Sequence, residues 1–205
     1  DTPCSQVQED FVSTIVSNGT QVVAAAGNSG NDVPVASPAS CTGAIAVGAH
    51  GPGVGRPLTP YSNFSDRLDI VAPGGLQQNQ FDEGVLSACG PQADCYTFQQ
   101  GTSMASPHVA GVVSLMQAVN PTISRDAIVT ALQDTGEACT GCGDKVAVRL
   151  DLALAAAAGL PPPPPPAGVY GEGPCDFNGE CPVGQSCLGT PNDEAECFRD
   201  CATAD

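Results

Sequence analysis

Eleven consecutive residues, 101–111 (GTSMASPHVAG), constrain this chain more than any other segment. Four apolar residues follow them: Val112, Val113, Leu115 and Met116. Because these apolar residues fall on more than one face of a helix, the segment is predicted to form a buried helix. Ser103 then lies in the first turn, where unpaired N–H groups and the positive end of the helix dipole stabilise a developing anion. Gly101 allows a sharp backbone turn and leaves room for another chain to come close.

Residues 101–111 resemble, position by position, the serine motif of the subtilisin-like serine proteases, the subtilases of peptidase S8 type. The resemblance implies that Ser103 is the nucleophile of peptide-bond hydrolysis and that Thr102 belongs to the substrate-binding site. The alternative is that Ser103 only caps a core helix. A G-x-S sequence alone would be a weak signal, but a match over eleven residues favours the catalytic role.

A second subtilase-like segment lies upstream at 21–28 (QVVAAAGN), which is predicted to be a buried strand ending at Asn28. In the family, this strand ends in the Asn of the oxyanion hole, whose amide N–H₂ meets the oxygen of the tetrahedral intermediate. A turn Asn is the alternative, since Asn tolerates left-handed φ. The Ser103 motif follows in the right order, which favours the oxyanion role. The resemblance also assigns four residues to a wall of the pocket for the residue before the scissile bond: Ala24, Ala25, Ala26 and Gly27.

The order of predicted elements indicates an α/β fold. A helix capped by Ser5 and ended by Gly19 precedes the strand at 21–26, which makes half of a βαβ unit. Its predicted apolar face consists of Val7, Phe11, Val12, Ile15 and Val16. Further strands are predicted at 44–49, 68–74 and 96–99, and further helices from Ser124 and over 150–158. The resemblance implies a mostly parallel, subtilisin-like sheet flanked by helices, present here as the C-terminal portion of its domain and followed by a small disulfide-rich module.

The charge and the cysteine content bound the function class. The chain carries 22 acidic and 6 basic residues, a net charge of −16, and this balance excludes nucleic acid binding, which needs a basic surface. Eleven cysteines indicate disulfides formed in an oxidising compartment, and therefore a secreted or extracellular protein. No apolar run reaches the 18 residues of a transmembrane helix. No cofactor is predicted, although acidic surfaces attract calcium and structural calcium is left open.

Three cysteine pairs are considered within the first 159 residues. The resemblance implies a Cys4–Cys41 bond, because related secreted subtilases often carry cysteines at these positions. Cys89 and Cys95 flank a short hairpin-like excursion and could pair locally. The sequence from Cys139 to Cys142 is a C-x-x-C, for which zinc binding or redox chemistry are alternatives. Because no second C-x-x-C or paired His stands nearby, a surface disulfide is favoured.

Six consecutive prolines, 161–166, predict a stiff polyproline II spacer and the clearest domain boundary. We therefore predict a catalytic-domain portion at 1–159, a linker at 160–168 and a Cys-rich module at 169–205. The module holds five cysteines, an odd number that implies a missing sixth, and it could contact a cell surface or another protein: Cys175, Cys181, Cys187, Cys197 and Cys201. Asp176, Asn178 and Glu180 alternate in a weak calcium-like pattern. Asn18 and Asn63 begin N-x-S/T sequons, or are ordinary turn residues.

A serine nucleophile needs a base and a carboxylate that orients the base. In subtilases both precede the oxyanion strand, but only 27 residues precede Asn28 and none of them is a His. The resemblance assigns His108 to packing, and His50 stands in no motif, so neither is predicted to be the base. We expect the chain to be the C-terminal portion of a longer secreted serine endopeptidase and to be inactive alone.

Two other functions are weighed against this one. A natural remnant without a triad would act as a binding or adhesion module through its Cys-rich tail. The intact Ser103 and Asn28 motifs argue against it, because a remnant is free to lose them. An α/β-hydrolase esterase is disfavoured because Ala105 stands where the G-x-S-x-G elbow needs Gly.

Overall fold

The computed structural model describes residues 3–30, 34–76, 83–90 and 95–161, and the backbone of two strands, 185–189 and 195–199. The chain divides into two compact units, Asp1–Pro162 and Pro163–Asp205. The finer division into a domain portion, a linker and a Cys-rich module stays a prediction. No helix among the described residues is long and apolar enough to cross a membrane.

The first unit contains four helices among its described residues: α1 (Gln6–Ser17), α2 (Thr102–Val119), α3 (Arg125–Asp134) and α4 (Leu150–Ala157). Its strands are β1 (Val22–Ala25), β2 (Ala44–His50), β3 (Ile70–Pro73), β4 (Val85–Ala88), β5 (Tyr96–Gln99), β6 (Glu137–Ala138) and β7 (Val146–Ala147). The predicted helices and the strands at 21–26, 44–49, 68–74 and 96–99 are confirmed within one or two residues at most ends. The second unit contains an antiparallel pair, β8 (Gln185–Gly189) and β9 (Ala195–Arg199).

The main sheet is largely parallel, as the α/β prediction requires. Its order is β1-β2-β3-β7-β6, in which the first three pairings are parallel and only β6 runs antiparallel to β7. All seven residues of β2 are buried, because it lies between two parallel neighbours and is covered on both faces. β1 lies at the edge of the sheet among the described strands and is only partly buried, which corrects the prediction of a buried strand.

The core lies on both faces of this sheet. On one face α2 packs against the sheet through Ala105, Val109, Val112 and Met116. On the other face a smaller cluster forms around Ala26, Leu68 and Val71. Because α2 crosses β1, β2 and β3, burial of its apolar side places its first turn at the carboxyl ends of the strands, the edge where α/β proteins form their sites.

Helix α1 begins with a capping box, in which Ser5 and Gln8 exchange side-chain and backbone hydrogen bonds. Its predicted apolar face is only half covered. Val12 is buried beside Ala44, whereas Val7 is 78% exposed and Phe11 is 68% exposed. The helix is confirmed, but its apolar face is buried only in part, because α1 reaches β1 and the start of β2 through the side that carries Val12.

Three disulfides lie in the first unit. Cys4–Cys41 joins the start of α1 to the segment before β2, and Cys89–Cys95 closes the β4–β5 hairpin. Cys139 and Cys142 are also bonded, which favours the disulfide over a zinc or dithiol site. Cys142 is fully buried in the smaller core cluster, the one around Ala26, Leu68 and Val71. The prediction that this bond lies at the surface is therefore wrong for Cys142. The bonding of the predicted tail cysteines lies outside the described residues.

Candidate active site

Ser103 occupies an exposed position in the first turn of α2. The turn is made possible by Gly101, the N-cap, whose φ of 147° is a conformation that side-chain-bearing residues rarely adopt. The N–H groups of Met104 and Ala105 both donate to the Gly101 carbonyl. Among the described residues, none accepts a hydrogen bond from the Ser103 N–H or pairs with its Oγ. Both groups are therefore available to a reacting carbonyl at the positive end of the helix.

Asn28 lies beside this turn, at the end of β1, with an exposed side chain. Its Oδ1 accepts from the Thr102 N–H at 2.8 Å and from the Thr102 hydroxyl at 3.0 Å. A backbone N–H can only donate, so the amide atom that faces Thr102 must be the oxygen. The Asn28 N–H₂ is then the end of the amide that is left for another acceptor, which is the orientation that an oxyanion donor needs.

Thr102 links the two halves of the site. It is fully buried, and its hydroxyl also accepts the Gly27 N–H at 3.2 Å. The end of β1 and the start of α2 are thus fixed to each other through one side chain. This contact explains the position of Thr102, while its assignment to substrate binding stays a prediction.

The four predicted pocket residues lie on two faces of the same strand end. Ala24 and Ala26 are buried in the core, whereas Ala25 and Gly27 are half-buried on the other side. Alternation along β1 therefore makes Ala25 the better placed strand residue for contact with a bound chain, whereas Gly27 lies beyond the end of the strand with its Cα against Asn63. The role of all four as a pocket wall stays a prediction.

A cavity of about 340 Å³ opens next to the nucleophile. Ser103, Met104, Pro107 and His108 of α2 form one side, and residues 85–87 of β4 form the other. β4 was not predicted from the sequence, because its residues follow a polar loop and its side chains are largely exposed. β4 thus supplies a wall of the candidate site.

The two histidines are each tied to a backbone carbonyl. His108 Nδ1 donates to the Met104 carbonyl at 2.8 Å, one turn back on α2, so the ring lies along its own helix although it borders the cavity. His50 is buried at the end of β2, and its Nδ1 donates to the Gly51 carbonyl at 2.9 Å. Burial lowers the pKa of His50, the hydrogen bond to the Gly51 carbonyl offsets part of this shift, and the positive charge of Arg56 lowers the pKa as well. The prediction that neither is the catalytic base stays a prediction.

Among the described residues, one group has metal-ligating atoms close together: Cys4, Glu9 and Cys41. The two cysteines form a disulfide, so the thiolates that a metal would need are absent. The Glu9 carboxylate accepts the Thr42 N–H at 2.9 Å. This group is therefore structural, and the calcium left open by the sequence is not assigned to any described residue.

Two residues beside the site had no predicted catalytic role. Tyr61 donates its hydroxyl to the Gly74 carbonyl at 2.8 Å, and the same carbonyl accepts the Gly101 N–H at 2.9 Å. Asn63 is fully buried next to Gly27, which rules out glycosylation of its sequon in this fold. Both contacts join segments that are distant along the chain, so no local sequence pattern assigns them.

Comparison with known proteins identifies the family of this chain. The sequence model of the Subtilase family, Peptidase_S8, matches residues 1–152. An "Extracellular protease" of Xanthomonas campestris pv. campestris is 39% identical over 159 residues, which are 75% of this chain and 26% of the relative. The "M-protease" of Shouchella clausii is 37% identical over 140 residues, 68% of this chain and 33% of the relative.

A solved protease structure from Pseudoalteromonas arctica is 40% identical, has a TM-score of 0.67, and is matched over 75% of this chain and 48% of its own. This chain therefore spans between about a quarter and a half of the length of these proteins. Because the family match covers well over half of the sequence, the chain belongs to the subtilase family.

Proposed function

We propose that this chain is the serine-bearing portion of a secreted endopeptidase, which hydrolyses peptide bonds through an acyl-enzyme on Ser103. The single observation that carries the proposal is the Asn28 amide, which Thr102 holds with its N–H₂ end available beside the exposed Ser103. A serine that only capped a helix would not need an amide donor fixed next to it. The longer protein that we propose contains this chain is called the intact protease below.

In this mechanism, the Ser103 Oγ forms a bond to the scissile carbonyl carbon, and the carbonyl π electrons move to the oxygen. The Asn28 N–H₂ and the Ser103 N–H donate to that oxyanion, and the α2 dipole adds a favourable field. Loss of one such donor raises the barrier of a subtilisin by about 2.7–4 kcal/mol. The carbonyl re-forms as the leaving amine departs, which leaves an ester on Ser103 for water to hydrolyse.

The Ser103 proton must pass to a base and then to the leaving amine. We infer that this base is a His oriented by an Asp, and that both lie outside these 205 residues. The hydrogen bonds of His50 and His108 to backbone carbonyls support this inference. The share of each relative that the chain matches supports it as well. The 205-residue chain alone is expected to show negligible proteolysis.

The proposed location is extracellular, and the substrates are proteins or peptides. Relatives named as extracellular proteases and three disulfides in the first unit support secretion. The Cys-rich tail is proposed to contact a cell surface or another protein. Structural calcium is proposed only for the intact protease, without a site among the described residues.

The first test is to sequence the coding frame upstream of Asp1 and to express the intact protease with and without Ser103→Ala. We expect an Asp motif, a His motif and a signal peptide upstream. Cleavage of a peptide p-nitroanilide should fall to background in the variant, and circular dichroism should show an unchanged fold. A start codon directly before Asp1, or full activity of the variant, contradicts the proposal and turns attention to the tail as a binding module.

A further inference from the structure

Asn63 is a fully buried amide that contacts the chain on both sides of Asn28. On one side, its backbone N–H donates to the Gly27 carbonyl at 3.0 Å. On the other side, its Oδ1 accepts the Ser29 N–H at 2.7 Å. Asn28 is thus held between two hydrogen bonds to a single residue, 35 positions further along the chain.

The second end of the Asn63 amide is also used. Its Nδ2 donates to the Pro34 carbonyl at 3.0 Å, which ties in the far end of the loop that leaves the site. Since the side chain accepts at one atom and donates at the other, only a primary amide of this length satisfies both partners. Loss of this side chain would leave the Ser29 N–H and the Pro34 carbonyl without these hydrogen bonds, which lowers the free energy of unfolding.

Gly27 shows how closely the two segments pack. Its φ is +113°, and a Cβ there would meet the Asn63 amide nitrogen and lie 2.9 Å from the Asn63 Cγ. The backbone before Asn28 therefore lies directly against the buried amide. The Asn28 side chain itself is exposed and fixed only through Oδ1 to Thr102. The direction of the Asn28 side chain therefore depends on Thr102, which binds the side-chain amide, and on Asn63, which binds the backbone on either side of Asn28.

From these contacts we propose that Asn63 is a positioning residue of the oxyanion hole. It does not touch the substrate; it holds the peptide units on either side of Asn28 so that the N–H₂ meets the developing oxyanion. The proposal rests on the proposed serine protease function and deepens it. Displacement of a catalytic donor by about 1 Å can cost on the order of 100-fold in rate. Asn63→Ala is therefore expected to lower kcat by about 10- to 100-fold.

The test uses the intact protease and compares wild type with Asn63→Ala, Asn63→Ser and Thr59→Val. Thr59 is a matched control, because it is also fully buried and its hydroxyl donates to a backbone carbonyl of β2, that of Ala49, rather than to the segment that holds Asn28. We expect a fall in kcat with KM within about twofold for both Asn63 variants, and wild-type kcat for Thr59→Val. Asn63→Asp keeps the acceptor for the Ser29 N–H but places a carboxylate oxygen against the Pro34 carbonyl. Asn63→Ser, which leaves no buried charge, is therefore the second variant if Asn63→Ala fails to fold.

A positioning role also predicts how inhibitors bind. A peptide aldehyde, which forms a tetrahedral adduct with Ser103, should bind Asn63→Ala at least 10-fold more weakly. A non-covalent peptide of the same sequence should bind both forms equally. A merely structural defect would weaken both ligands, or neither, and either result would overturn the proposal.

A double-mutant cycle with Asn28→Ala completes the test. If Asn63 acts through Asn28, Asn63→Ala should lower kcat by less than twofold once the Asn28 amide is gone. Equal losses in both backgrounds would overturn the positioning role. Ser103→Ala distinguishes failure of the proposed function from failure of the positioning role. If Ser103→Ala stays active, the protease assignment fails. If Ser103→Ala is inactive and Asn63→Ala is fully active, only the positioning role is refuted.

Discussion

Gly27→Ala tests the packing behind the candidate oxyanion hole. The native φ of +113° is unfavourable for any residue with a Cβ, and the added methyl would run into the buried Asn63 amide. The backbone strain costs about 1–3 kcal/mol. Displacement of Asn63 also breaks its hydrogen bonds to Ser29 and Pro34, at about 1–2 kcal/mol each for buried partners. The expected loss in the free energy of unfolding is about 3–7 kcal/mol, from the sum of these effects.

Gly19→Ala is the matched control, because Gly19 has a φ of +85° and no atom lies within 4 Å of the methyl group that the substitution adds. Gly19→Ala should lower the free energy of unfolding only by the cost of the left-handed conformation, about 1–2 kcal/mol. Thermal unfolding followed by circular dichroism, in a Ser103→Ala background that prevents self-digestion, separates the two. At about 2–4 °C per kcal/mol for a domain of this size, we expect Tm to fall by about 6–28 °C for Gly27→Ala and by about 2–8 °C for Gly19→Ala. Equal shifts would refute the contact with Asn63 as the cause.

Three further outcomes are expected, each read as Tm by circular dichroism. Burial lowers the pKa of His50, so the stability that the neutral His50 ring contributes is full above about pH 6.5 and is lost as pH falls through the lowered pKa. His50→Asn should therefore make Tm fall less steeply with decreasing pH, and an unchanged pH dependence of Tm would contradict this expectation. Burial raises the pKa of Tyr61, so the stability that its neutral hydroxyl contributes is full below about pH 10 and is lost as pH rises through the raised pKa. Tyr61→Phe should remove this loss of stability at alkaline pH. It should also lower Tm at neutral pH, because the hydrogen bond to the Gly74 carbonyl is gone. Gly111→Ala, in an exposed helix interior with open space, should raise the stability by about 0.5–1 kcal/mol, and a lower Tm would speak against that geometry.

The local features of the fold could be predicted because their causes lie close together in sequence. Ser5 begins α1 through a capping box with Gln8, three residues away, and Gly19 follows its end with positive φ. The Cys89–Cys95 bond spans only a hairpin. The order of the Asn28 strand and the Ser103 helix was also visible, because each is a continuous motif in the sequence.

The features that depend on distant segments could not be predicted in this way. Asn63 gains its role from a contact with Gly27, and that contact exists only once β1 and the segment after β2 are packed together. In the same way, α1 periodicity places Val7 and Phe11 on an apolar face but does not say which neighbours cover it. The burial of Cys142 follows from the smaller core cluster rather than from its C-x-x-C spacing.

The most direct measurement is covalent labelling of the intact protease with a fluorophosphonate, followed by mass spectrometry of the peptides. A serine activated by a base and an oxyanion hole reacts with this reagent, whereas an ordinary helix-capping serine does not. The account predicts one adduct, on Ser103, with loss of proteolysis in proportion to labelling and a much slower reaction in Asn28→Ala. An unlabelled Ser103 in a protease that is fully active would contradict it.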